Sequence, residues 1–178
     1  MAKTRKVVLS GIAEWAKVFE QNRDMTGYKP TPQAVGSFEE CDGACKIDLI
    51  MNDSEYKRLK ENRSMKVGVD DPMGRGKKVT FVRKFNTGYD FSSGAPVVLK
   101  DDHTRWDYET DGIIGNGSLV EVTVAVYDIP KYGNTGTRLE RVVVKEHNKY
   151  DPDSNNDLPA PTPKKEKASE VSGEEIPF

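Results

Sequence analysis

Between Lys66 and Tyr108 the sequence interleaves cations and rings: Lys66, Arg75, Lys77, Lys78, Arg83, Lys84, Phe85, Tyr89, Phe91, Arg105, Trp106 and Tyr108. Ammonium and guanidinium groups neutralise phosphates and release their counterions. Ring faces stack on unpaired bases, whatever the base. An unpaired polynucleotide needs both. The ordinary alternative is that Phe81 and Phe85 belong to a core and half of these cations to a solvated surface. Tyr89, Phe91, Trp106 and Tyr108 are the better stacking candidates, because their neighbourhood is polar and loop-like. Trp15 reads as a core residue.

Catalytic patterns are lacking. The two histidines, His103 and His147, have no partner at motif spacing, and no phosphate-binding glycine loop or nucleophile elbow is present. Asp107, Glu109, Asp111 and Gly112 copy the start of a calcium loop, but its twelfth position is Ser118, where a bidentate glutamate is required. These acids read as a solvated loop; a magnesium-dependent nuclease would use the same cluster and has no other support. Cys41 and Cys45 form C-x3-C, too loosely placed relative to the histidines for a zinc site, and read as reduced thiols. The expectation is a protein that is no enzyme and uses no cofactor and no metal. Without a membrane-length apolar run or an export signal, the expected compartment is the cytoplasm.

The residues that would grip a strand need a scaffold, and the sequence is rich in strand patterns. In "SLVEVTVAVYD", Val120, Val122, Val124 and Val126 alternate with Glu121, Thr123 and Ala125. "TRLERVVVKEH" follows after "IPKYGNTG", which predicts a hairpin. "KKVTFVRKF" directs Val79, Phe81 and Phe85 one way and Lys78, Thr80 and Lys84 the other. "CKIDLIM" sets Ile47, Leu49 and Met51 on a core face. "VVLSGIAEWAKVFE" fits a helix face or a strand; a long first strand bent at Gly11 is preferred. "NDSEYKRLKENRS" predicts one short helix, capped by Asn52, with Glu55 completing a capping box and Tyr56 and Leu59 on its apolar side. Five or six antiparallel strands with one helix are what a small all-β Greek-key barrel, the OB-fold, requires. A β-sandwich is the rival.

The domain is expected to span residues 1–150. From Asp151 the composition changes: residues 151–178 hold five of the ten prolines, seven acids and three lysines. That segment carries −4 of a total of −2, leaving +2 on the body. It cannot bury enough apolar surface to offset its ordering entropy, and reads as a disordered, Pro-rich acidic tail. It ends Glu174, Glu175, Ile176, Pro177, Phe178. A terminal ring beside acids suits a detachable ligand: Phe178 fills a pocket, the carboxylates meet a basic rim, and Pro177 limits the freedom lost on binding.

The ending resembles the tip of bacterial single-stranded DNA-binding proteins. The body resembles the single-stranded DNA-binding proteins of lytic short-tailed (podovirus-type) phages. "SGAPVV", "IGNGSLVEVTVAVYD", a glycine-containing loop, "TGTRLERVVVKEHNKYD" and an acidic tail with a terminal Phe carry this, over about residues 92–178. The first half matches in layout only. The resemblance implies an OB-fold domain, often a dimer, that coats single strands in the host cytoplasm without sequence preference, in DNA replication, recombination and repair. It implies a tail that contacts phage DNA polymerase and primase-helicase and covers the DNA groove when DNA is absent. Lys164, Lys165 and Lys167 interrupt this tail, a departure that weakens competition between tail and DNA. A structural or adaptor phage protein with a β-sandwich body is the alternative.

Overall fold

The computed structural model describes residues 3–25 and 42–149. Cys41, the expected boundary at residue 150 and the whole tail, with Glu174 to Phe178, lie outside them. Period-two alternation accounts for the long strands. Strand β1 (Thr4–Lys17) pairs antiparallel with β2 (Ala44–Met51), which pairs antiparallel with β4 (Lys77–Lys84). The hairpin β6 (Leu119–Ile129) and β7 (Asn134–Glu146) returns to the other side of β1, through β6. The expected inward residues are buried: Ile47, Leu49, Met51, Val79, Phe81 and the four valines of β6.

Two short strands were not legible in the pattern: β3 (Val69–Asp70) and β5 (Val97–Lys100), the latter parallel to β7. Runs of two and four residues carry too little alternation to read. Among the described residues they bring the sheet to seven strands, in the order β3-β4-β2-β1-β6-β7-β5. Strand β4 also packs against β7, so the sheet curls until its long strands close. The ring β1-β2-β4-β7-β6 is the OB-type all-β barrel, and a single curled sheet replaces the sandwich.

The helix α1 (Asp53–Glu61) forms where its cap predicts, with the Asn52 side chain accepting the Glu55 amide at 2.9 Å. The capping box, however, is only half made. The Glu55 carboxylate accepts the Ser10 amide of β1 at 2.8 Å and an Arg58 hydrogen bond at 2.9 Å, and so docks the helix on the barrel. Leu59 is buried and Tyr56 packs on the core, as their spacing requires. A second, single-turn helix, α2 (Tyr108–Asp111), starts at Asp107.

Strand β1 is one strand, as preferred. Gly11 leaves room for β2 to pass: a Cβ there would lie 2.4 Å from the Ile50 carbonyl oxygen. The register irregularity lies further on, between Glu14 and Lys17. Phe85 leaves the core face expected for it. It is half-buried beyond the end of β4, with the Arg23 guanidinium 4.2 Å from its ring centre. Among the described residues, no helix is long and apolar enough to cross a membrane.

Candidate nucleic-acid interface

Arg83 has the same parity as Val79 and Phe81, so the alternation of β4 turns it inward, and it is only 8% exposed. A buried guanidinium needs acceptors on every side. Arg83 finds them across the seam between β4 and β7: the Leu139 carbonyl at 3.2 Å and the Glu140 carboxylate at 2.9 Å. Its other donors reach the carbonyls of Phe91 (3.3 Å), Ser93 (2.8 Å) and Gly94 (3.0 Å). One side chain therefore closes the barrel and holds the loop after β4. Within that loop Thr87 bonds the hydroxyls of Ser92 and Ser93, and the Gly94 amide bonds the Phe85 carbonyl at 2.7 Å.

With its polar atoms satisfied inward, the loop projects rings outward. Tyr89 is 66% and Phe91 70% exposed, their centres 6.0 Å apart. The Arg138 guanidinium of β7 lies 5.4 Å from the Phe91 ring centre and 5.2 Å from that of Tyr127 on β6. Tyr127 pairs across the ladder with Gly136, where a Cβ would meet the ring at 2.4 Å. A glycine at that position is what leaves room for the tyrosine ring to lie across β7.

The charge here is positive. Glu140 is shared by Lys6 (2.7 Å), Arg83 (2.9 Å) and Arg138. Three cations on one carboxylate leave a surplus of two, which Asp90, between the two exposed rings, reduces to one. Burial alone would raise the Glu140 pKa, but hydrogen bonds from Lys6 and Arg138, with their charges, outweigh it and hold the carboxyl below its ordinary value. A carboxyl depressed in the folded state contributes stability that is complete above its unfolded value, near 4.3 for glutamate, and is lost as the pH falls through the folded value. We therefore expect melting temperature to drop below about pH 4.3 and Glu140→Gln to flatten that drop; equal slopes in the two proteins would overturn the assignment.

The other cations picked out by the sequence are distributed differently. Arg75 bonds Asp71 (2.8 Å) and the buried Glu14 (2.7 Å), and Lys78 also takes Glu14, at 2.8 Å. The Arg75 hydrogen bond holds the Asp71 carboxyl below its ordinary range. Lys77 pairs with Asp70 at 2.6 Å. Arg75 and Lys78 thus serve a buried acid, and Lys77 an exposed ion pair. Lys66 is half-buried, and desolvation lowers its pKa. Lys84 and Arg105 are exposed, and among the described residues no carboxylate pairs with them. Trp106 and Tyr108 are half-buried and pack on the core; Trp106 donates to the Gly112 carbonyl at 2.8 Å, and the Tyr108 and Phe19 rings are 5.0 Å apart. Of the four rings favoured as stackers, Tyr89 and Phe91 face solvent fully.

Three members of the patch were missed. Tyr127 follows from the parity that puts Val126 inside. Arg138 and Lys6 lie on outward positions of β7 and β1, paired through Ala125, and strand pairing brings both to Glu140 and Arg138 to Phe91. Trp15, read as core, is 46% exposed. The acids of the calcium-like loop are occupied locally: Asp107 accepts the Glu109 amide at 3.1 Å, and Asp111 the Asp107 amide at 2.9 Å. Among the described residues no three His, Cys, Asp or Glu side chains gather into a metal site. Burial pushes the Cys45 thiol up to about 12, which leaves it unreactive.

No family model matches the chain, and no curated protein matches it. Solved structures do. The fold is similar to that of gp2.5, a single-stranded DNA-binding protein encoded by bacteriophage T7, at a TM-score of 0.53 and 16% identity, over 85% of this chain and 96% of that one. The single-stranded DNA-binding protein from bacteriophage Enc34 aligns at a TM-score of 0.49 and 13% identity, over 87% of this chain and 88% of its own. Its complex with single-stranded DNA aligns with the same score and identity over 82% of this chain and 88% of that one. At such identities the T7 likeness is one of fold.

Proposed function

We propose that this chain binds single-stranded DNA without regard to sequence and does no catalysis. The observation that carries the reading is the Tyr89–Phe91 pair, held out to solvent by a buried arginine and flanked by the Lys6, Arg83 and Arg138 cluster on Glu140. Bases stack on Phe91, Tyr89 and Tyr127, because every base has a π face. Phosphates lie along Arg138, Lys6 and Lys84, which act as sequence-blind point charges. Duplex DNA hides its base faces, so only the electrostatic part of the interaction is open to it. The fold likeness to gp2.5 supports the same reading.

In this reading the protein coats unpaired strands during phage DNA replication, recombination and repair in the host cytoplasm, and works as a homodimer. Residues 151–178 recruit DNA polymerase and primase-helicase through Glu174, Glu175, Ile176, Pro177 and Phe178. The test is a gel-shift comparison of unstructured single strands with duplex at two salt concentrations, with a pull-down of both enzymes by chains with and without Phe178. Single strands should bind more tightly, affinity should fall as salt rises, and the pull-down should need Phe178. Affinity indifferent to salt would overturn the DNA reading; a pull-down indifferent to Phe178 would overturn the tail's role.

A further inference from the structure

Trp15 has a backbone that its side chain alone does not explain. Its φ is +51°, in the left-handed region that a bulky residue rarely enters. It lies within the irregular stretch of β1 between Glu14 and Lys17. A bulge in a strand re-aims one side chain, and strained backbone gathers at binding sites. Here the re-aimed side chain is one of the protein's two indole rings, left 46% exposed, whereas burial would be its ordinary fate.

The conformation is held from outside the strand. The Trp15 amide donates to Asn116 Oδ1 at 2.8 Å. The Asn116 carbonyl accepts Asn148 Nδ2 at 2.6 Å, and the Asn148 amide donates to Ser118 Oγ at 2.8 Å. Gly117 and Ser118 pair with Ala13 on the preceding turn of the ladder, at 2.9 and 2.8 Å. Two segments outside β1, residues 116–118 and Asn148, thus fix one tryptophan. By register the irregular stretch lies level with Lys46 and Asp48 of β2, at the margin of the outward face of β2 and β4. That face of an OB barrel is suited to oligonucleotides. Lys17, two residues along, is exposed, and among the described residues no carboxylate pairs with it.

We propose that Trp15 is a second base-stacking site, on the β1–β2–β4 face, and that the Asn116–Asn148 clasp keeps it presented. Its ligand is one unpaired base of a strand, with the adjoining phosphate on Lys17. This rests on the single-strand reading above.

The experiment uses the full chain and an oligothymidylate. Tryptophan emission and gel shift are followed on the same samples for the parent, Trp15→Phe and Trp15→Gly. Quenching on binding should shrink in Trp15→Phe, which keeps a ring and most of the affinity. Trp15→Gly accepts the positive φ, so its melting temperature should hold or rise while affinity falls about tenfold, within the range for one stacked base. A glycine variant that binds as tightly as the parent, or quenching unchanged in the phenylalanine variant, would overturn the proposal. If the parent shifts no oligonucleotide at either salt, the single-strand reading itself fails, and Trp15's role fails with it.

Discussion

Arg83→Met should lower the melting temperature by on the order of 10 °C, at 2–4 °C per kcal/mol for a domain of this size. The methionine keeps the unbranched stem as far as the ε position but supplies none of the arginine's donors. Glu140 loses a hydrogen-bonded partner at 2.9 Å, and the carbonyls of Leu139, Phe91, Ser93 and Gly94 lose theirs. Breaking one side of a buried pair costs about 3–5 kcal/mol, because the other side stays desolvated. The barrel seam and the ring-bearing loop should loosen together, so single-strand affinity should fall in the same variant. Arg83→Lys should recover only part, since an ammonium cannot fork to acceptors on both sides of the seam. Thermal unfolding by circular dichroism checks this; a shift under about 2 °C for the methionine variant would mean the seam is held by something else.

The double variant Tyr89→Ala/Phe91→Ala should weaken single-strand binding by at least about 30-fold, taking the lower end of 1–3 kcal/mol for each of two stacked bases. Both rings are exposed, so removing them should leave the melting temperature nearly unchanged. The fold and the site thereby separate: Arg83→Met damages both, the ring variant only the second. Arg138→Ala gives the complementary signature. It removes a cation that lies near both the Phe91 and the Tyr127 ring, and should reduce the steepness of the salt dependence by about one phosphate contact. Ring loss should lower affinity while leaving that steepness intact. Fluorescence anisotropy with a labelled oligonucleotide, at three or more salt concentrations, distinguishes the two. A ring variant that binds normally would remove Tyr89 and Phe91 from the interface.

How much of this was legible beforehand differs by residue. Val120 to Val126, Val79, Phe81, Ile47, Leu49 and Met51 announced their faces, because a strand buried on one side repeats every second residue. Asn52 announced the helix through its short acceptor side chain. Glu55 was read as the other half of that cap, but the Ser10 amide of β1, 45 residues away, took its carboxylate. Tyr89 and Phe91 were legible as rings in a polar loop. Trp106 and Tyr108 had the same look, yet both pack on the core, where the chain after β1 brings Phe19 against Tyr108.

Sequence alone determined the strand pattern, the inward parity of each long strand and the pairing of rings with cations, because each depends on neighbours a few positions away. Tertiary structure decided which cations remain for a ligand. Arg75 and Lys78 were lost to Glu14, and Arg83 was turned inward to close the seam, while Arg138 arrived beside Phe91 with Lys6 on the Glu140 carboxylate they share. It also decided that Trp15 faces solvent, through a clasp formed by Asn116 and Asn148. The physical reason is range. A charge is spent on whatever acid the fold brings within about 4 Å, and that distance is set by strand register and barrel closure across a hundred residues of chain, which no local spacing records.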